Sequence, residues 1–253
     1  MVKTLVVIDP LADLARFEGV ASAVAAATDA VDAVLRDRGL RSVTDEQVSQ
    51  ALLAGAGANA ALTDDPQRWQ VGALRLSAEL APLAALIRVA PAQALARAHA
   101  LVARGVVPDG ELGKISSEPG IAARMNSLGD LLTSPTSAPA IVAGAVAHAE
   151  IAVVAPFGEA SGLIARAAEH LVLIAAGLDP YGVITVEAGH AVSGATYSNA
   201  LQAYADGSVD GVTDWLLRCA MAVARGAELS PVAGTNRRSS MKSGGPETDA
   251  APT

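Results

Sequence analysis

Apolar residues recur along this 253-residue chain at intervals of three and four, with polar residues between them, almost from end to end. That is the period of helices packed on one face. Leu11, Leu14, Val20, Val24, Val31 and Val34-Leu35 predict one long first helix, with Gly39 as its C-cap. Thr44, followed three residues later by Gln47, reads as a capping box that opens a second helix with Val48 and Leu52 facing inward. Asp65-Pro66 supplies the N-cap and first-turn proline of the next, which carries Trp69, Leu74 and Leu76. Pro82 is expected to kink or end it. Further helices fit about 91–104, 120–133, 138–153, 162–177, 192–205 and 209–226. Only Val2 to Asp9 has the look of a strand, read as an extended arm or small flap strand. A phosphohydrolase that opens on a strand and an aspartate needs a second acid two residues on, and Leu11 stands there. From Ser230 the apolar period is lost among Gly, Ser, Pro and Thr, which predicts a disordered tail over 230–253. No internal repeat is visible. The pattern describes one all-α domain over 1–229.

Composition narrows this. Hydrophobic residues make up 51% and aromatics only 3%, so the core is built from Ala, Leu and Val, which suits closely packed helices. A net charge of −8 leaves no basic face to displace phosphate counterions, which argues against a nucleic-acid partner. A single cysteine, Cys219, excludes an intramolecular disulfide and suits a reducing compartment. No secretory signal is recognisable, and the longest apolar stretch, Ala140 to Phe157, carries His148 and Glu150 in its middle, against a membrane span. The expectation is a cytoplasmic protein with no membrane partner.

Chemistry concentrates in Ala155-Pro156-Phe157-Gly158-Glu159-Ala160-Ser161-Gly162-Leu163-Ile164-Ala165-Arg166. A Gly-containing turn feeding a helix aims free N–H groups and the positive end of the helix dipole at one point, an anion site. Glu159 could hold a metal bridging phosphates, and Arg166, one turn into the helix, could reach an oxygen. No base stands within the stretch to take a proton from an attacking hydroxyl. The plain alternative is a helix–loop–helix corner with a solvated Glu and a surface Arg. Outside the loop, His99 and His148 lie inside apolar helices and read as buried structural residues. His170, one turn after Arg166, is either a displaced base or a capped or surface helix histidine. Glu187-x-x-His190 has di-iron spacing, but a di-iron site needs that pair twice, and no second copy exists. Ser161 and Thr63 belong to no Ser/His/Asp arrangement. Cys219 shares a face with Trp215 and Val223, which assigns it to core packing, and Trp69 and Trp215 read as core anchors.

The stretch resembles, register for register, the signature H-x-F-x-[D/E]-G-N-G-R-x-x-R of the Fic (Fido) family. Four flanks follow in the family's order: Leu95-Ala96-Arg97-Ala98-His99, Ala147-His148-Ala149-Glu150, Leu171 to Pro180, and Tyr197-Ser198-Asn199-Ala200-Leu201 with Asp214-Trp215-Leu216. The resemblance spans about residues 51–226. It implies a Fic-like helical bundle with a short N-terminal extended arm, and a motif that transfers AMP from ATP to a protein hydroxyl. In this family the His deprotonates the target hydroxyl, the acid binds Mg²⁺, the Gly-Asn-Gly segment lines the anion hole and the first Arg clamps distal phosphates. Here those positions are Ala155, Glu159, Ala160-Ser161-Gly162 and Leu163, and the second Arg is retained as Arg166. Loss of a base alone costs on the order of 10²–10⁴ in rate. The family's inhibitory helix, S-x-x-x-E-G, has its best local match at Asn59-Ala60-Ala61-Leu62-Thr63-Asp64, with Thr63 in place of the Glu.

The degenerate positions Ala155, Ser161 and Leu163 leave no catalytic set. Gly158, Glu159, Ala160, Ser161, Gly162 and Arg166 are the candidate cofactor-binding residues, with Glu159 as a weak metal ligand. No tightly bound cofactor is expected, only weak binding of nucleotide or phosphate with Mg²⁺. The implied function is a pseudoenzyme acting as a regulatory or binding module on a protein partner, and an Ala-rich helical surface is compatible with a homodimer. The alternative is a divergent nucleotidyl- or phosphotransferase modifying protein hydroxyls through a residual Glu159/Arg166 phosphate–metal site.

Overall fold

A computed structural model describes residues 9–36, 43–192, 194 and 196–233. Among these are twelve α-helices and no strand: α1 (Pro10–Leu14), α2 (Val20–Arg36), α3 (Asp45–Ala61), α4 (Pro66–Ala78), α5 (Leu80–Ile87), α6 (Pro91–Ala103), α7 (Ile121–Thr133), α8 (Ala140–Val154), α9 (Ser161–Ala175), α10 (Val186–Val192), α11 (Thr196–Ala205) and α12 (Val209–Leu229). The domain is all-α. Val2–Ile8, Gly39 and residues 234–253 lie outside the described residues, and with them the expected arm, the first helix's C-cap and most of the tail.

Helix starts follow local chemistry. Thr44 Oγ1 accepts from Gln47 N–H at 3.3 Å while Gln47 Oε1 accepts from Thr44 N–H at 3.0 Å, the reciprocal pair that satisfies two orphan donors. Asp65 caps α4 through the Arg68 N–H at 3.1 Å, with Pro66 in the first turn. Asp9 caps α1 through Ala12 and also accepts from Thr136 Oγ1 and Ser137 N–H at 2.8 Å, tying the start of the described chain to the entry of α8.

Four expectations need correction. The long first helix is two, broken over residues 15–19, where Gly19 adopts a φ of +77°. Pro82 neither kinks nor ends α4; the axis turns by 67° at Glu79, and Pro82 sits in the first turn of α5, where its missing N–H has no partner to lose. Residues 186–192 form a helix of their own before α11. The body also runs past 229: Ser230 Oγ donates to Val183 O at 2.7 Å and Val232 is wholly buried.

At the centre α8 and α9 lie side by side, with α5, α6 and α3 against α9 and α10, α11 and α12 closing the other side. α8 is apolar on every face, and Ile141 to Ala149 is buried without a break. α9 is buried just as continuously from Leu163 to Leu173, yet it carries Arg166, Glu169 and His170. Glycine permits the closest crossings. A Cβ at Gly72 would fall 2.0 Å from the Val102 carbonyl oxygen, and one at Gly189 would fall 1.9 Å from that of Ala222, so α4 on α6 and α10 on α12 meet backbone to backbone. Among the described residues, no single helix is long and apolar enough to cross a membrane.

Candidate functional site

The α8–α9 corner begins with a strained cap. Ala155 takes φ 49° and ψ 48°, the left-handed region that glycine usually occupies, while its N–H donates to Ile151 O. For a residue with a Cβ this costs roughly 1–2 kcal/mol. Phe157 then turns inward, only 6% exposed, with its ring centroid 4.8 Å from that of His99. Burial depresses the His99 pKa, and its Nδ1 accepts from the Gly113 N–H at 3.1 Å. Ser116 N–H donates to Pro156 O at 2.7 Å, so the segment around 113–116 is pinned along the corner. Gly158, at φ +54°, and a single 3₁₀ turn lead into α9. Ser161 Oγ accepts from the Phe157 N–H at 2.9 Å, closing the turn on itself.

Beside the start of α9 lies a pocket of about 320 Å³, lined by Thr63, Asp64 and Asp65 from the α3–α4 corner, Arg68 and Trp69 from α4, and Glu159, Gly162 and Arg166. Glu159 therefore does share a cavity with Gly162 and Arg166. It is not free: Arg68 Nη1 donates to Glu159 Oε2 at 2.5 Å, an ion pair whose side chains are 41% and 69% exposed. Arg166 forms the floor and is fixed on three sides. Its Nε donates to Asn59 Oδ1 at 2.7 Å, Nη2 to Asn59 O at 3.2 Å and Nη1 to Tyr197 Oη at 3.4 Å. A Cβ at Gly162 would sit 3.4 Å from Nη1, in ordinary contact. Three carboxylates, Asp64, Asp65 and Glu159, face two guanidiniums here. An anion would meet net negative charge unless a cation came with it. Of the other loop positions, Gly158, Ala160 and Ser161 do not line the pocket; Phe157 lines a separate cavity of about 570 Å³ with Leu95, Ile115 and Met125. Leu163 is 0% exposed and turned into the core.

Neither a protein-family model nor a curated protein matches the sequence. Among solved structures, the crystal structure of a Fic family protein from Desulfovibrio desulfuricans G20 superposes with a TM-score of 0.63 at 17% identity, covering 96% of this chain and 78% of that one. The chain has the Fic fold.

In this Fic fold the flanks of the motif do different work from the motif. Behind the pocket floor runs a buried polar network. Glu169 Oε2 accepts from His148 Nδ1 at 2.6 Å and from His190 Nε2 at 2.7 Å. Burial would raise the Glu169 pKa, but the charge of His190 and the bonds from both imidazoles outweigh it and hold it down to about 2. Burial depresses His148 to about 4 against the pull of Glu169, so its ring is neutral near pH 7. With Nδ1 donating to the carboxylate, His148 Nε2 is the acceptor for the Tyr197 hydroxyl at 2.7 Å. A second knot lies one residue along α9. His170 bridges Glu187 Oε1 and Asp179 Oδ2, each at 3.1 Å. Burial would lower its pKa, but those two carboxylates raise it to about 10. Asp179 also accepts from the N–H groups of Val183 and Ile184.

His170 is thus neither a surface histidine nor a displaced base: it is 3% exposed and is not among the residues that line the pocket. Glu187 and His190 do not face one site either, since Glu187 binds His170 and His190 binds Glu169. His148, Cys219, Trp69 and Trp215 are buried as expected. Sequence reasoning missed Arg68, Glu169 and Asp179, and named Asn59 only as the start of the inhibitory-helix match. No sequence signal marked Glu169: Arg166, Glu169 and His170 at i, i+3 and i+4 share one face of α9 and read as a solvated stripe, and only the burial of that whole helix forces them to find partners inside. Among the described residues His148, Glu169, His190 and Cys219 form a group that could hold a metal ion.

Proposed function

We propose that this Fic-fold protein does not carry out efficient AMP transfer and acts as a regulatory or binding module for a protein partner. The observation that carries this reading is Leu163. Where the family's motif has its phosphate-clamping Arg, this chain has a leucine with no exposed surface, so the clamp is replaced by core packing. Ala155 offers no base, and Ser161 spends its hydroxyl on the Phe157 N–H. Loss of the base and of the clamp together removes at least the 10²–10⁴ or so that each such group typically supplies. Labelled ATP and Mg²⁺ incubated with the protein and lysate should leave no label on protein. Robust label that Glu159→Ala abolishes would overturn the reading.

A residual phosphate site is the second reading, favoured by the one pocket that brings Glu159, Gly162, Arg166 and Arg68 together. Its affinity rests on the dipole of α9, about 0.3–1 kcal/mol when exposed, and on two guanidiniums already engaged. Millimolar binding at best is expected. Calorimetry with Mg²⁺ and nucleotide separates the readings: metal-dependent heat that disappears in Arg68→Ala supports the site, and no heat leaves the binding module alone.

A further inference from the structure

His148, Glu169, His190 and Cys219 come from four different helices, α8, α9, α10 and α12, and meet at one point in the core. None is more than 2% exposed. One ligand atom from each lies within 4.8 Å of all the others. Hydrogen bonding alone does not complete this group. Glu169 Oε2 takes both imidazole bonds while Oε1, equally buried, has no partner. A buried carboxylate oxygen left unpaired forfeits its hydration with nothing in return. The Cys219 thiol closes the group and is wholly buried.

We propose that these four side chains form a structural zinc site that ties α8, α9, α10 and α12 together. Two imidazoles, a carboxylate and a thiolate are a donor set zinc accepts in closed tetrahedral sites. Their formal charge of −2 cancels that of Zn²⁺, giving a neutral centre inside an apolar core. Zinc bonds of about 2.0–2.3 Å place tetrahedral ligand atoms roughly 3.3–3.7 Å apart. The ligand atoms, now within 4.8 Å of one another, draw together and the carboxylate turns to free the two ring nitrogens it now contacts. Binding releases the Cys219 thiol proton to solvent and clears His190 Nε2 of the proton it now donates to Glu169; that proton leaves to solvent or passes to Nδ1 of the same ring. It also moves the His148 ring proton from Nδ1 to Nε2, where Tyr197 Oη, now 2.7 Å away, accepts it. Outer support is in place: Trp215 lies parallel to the His190 ring and edge-on to that of His148. With four protein ligands and no surface exposure, the site has no open position for a substrate.

Untagged full-length protein, purified without chelator, should contain about one zinc per chain by elemental analysis. Exchange for Co²⁺ should give tetrahedral visible bands and a thiolate-to-cobalt charge-transfer band. The chain has a single cysteine, so that band reports Cys219 even if a variant fails to fold. Tyr197→Phe should weaken zinc by about 10–100-fold with the fold retained. Folded protein with neither zinc nor, after incubation with Co²⁺, a charge-transfer band overturns the proposal. Retention of the metal by folded Cys219→Ser together with His190→Gln overturns it equally.

Discussion

The two polar regions of this molecule use the same residue types under opposite solvation. At the pocket rim, Arg68 and Glu159 touch in an exposed position; 10 residues further along the chain from Glu159, Glu169 is wholly buried between two imidazoles. The rim pair was formed from groups that lose little by parting, because water replaces each partner. The core groups cannot part cheaply, since each would be left charged or unpaired in a low dielectric. The motif's exposed acid, Glu159, therefore contributes little to the fold, while its buried Arg166 and the histidines read as ordinary helix residues hold it together.

Breaking the core side should have the largest effect. Glu169→Gln removes the charge that His148 and His190 face and should lower unfolding free energy by about 3–5 kcal/mol, seen as a drop in urea midpoint at constant slope. Leu163→Arg, which would restore the motif's arginine on paper, places an unpaired guanidinium in the core and should cost several kcal/mol in the same assay, without gain of nucleotide transfer. Stability near wild type for either would mean that the core relaxes to admit water.

Backbone packing gives the next contrast. Gly189→Ala forces a Cβ to within 1.9 Å of the Ala222 carbonyl oxygen and should cost about 1–3 kcal/mol or more as α10 lifts from α12. Gly158→Ala meets nothing within 4 Å and should cost only its φ of +54°, about 1–2 kcal/mol. Thermal unfolding of the pair should rank them in that order. At the corner itself Ala155→Gly relieves a left-handed alanine and should raise stability by about 0.5–1 kcal/mol after the entropy of glycine is subtracted.

The sequence made helices legible where a local rule decided them. Thr44 with Gln47, and Asp65-Pro66, fix helix starts through bonds spanning three residues. The fold was legible through the ordered flanks of a degenerate motif, since His99, His148 and Trp215 hold core positions and Tyr197 packs against the core. Long-range pairing was not legible. Asn59 meets Arg166 across 107 residues and Arg68 meets Glu159 across 91, and nothing local says that these residues pair. Glu187-x-x-His190 misled for the same reason: spacing along a helix says which residues share a face, not which neighbours that face meets.

The smallest effect belongs to the rim ion pair, and its smallness is the test. Arg68 and Glu159 come from α4 and the α8–α9 corner, so their contact could in principle clamp the pocket. Their side chains are 41% and 69% exposed, which leaves each able to regain its water when the other is removed. A double-mutant cycle of Arg68→Ala and Glu159→Ala should give a coupling below about 1 kcal/mol that shrinks further as salt is raised. A pair this weak can open for a ligand at little cost, and the freed Arg68 is then the one pocket guanidinium not already tied to Asn59. A coupling of several kcal/mol that resists salt would place the pair with the core network instead, and the pocket would be a rigid corner with no capacity to bind.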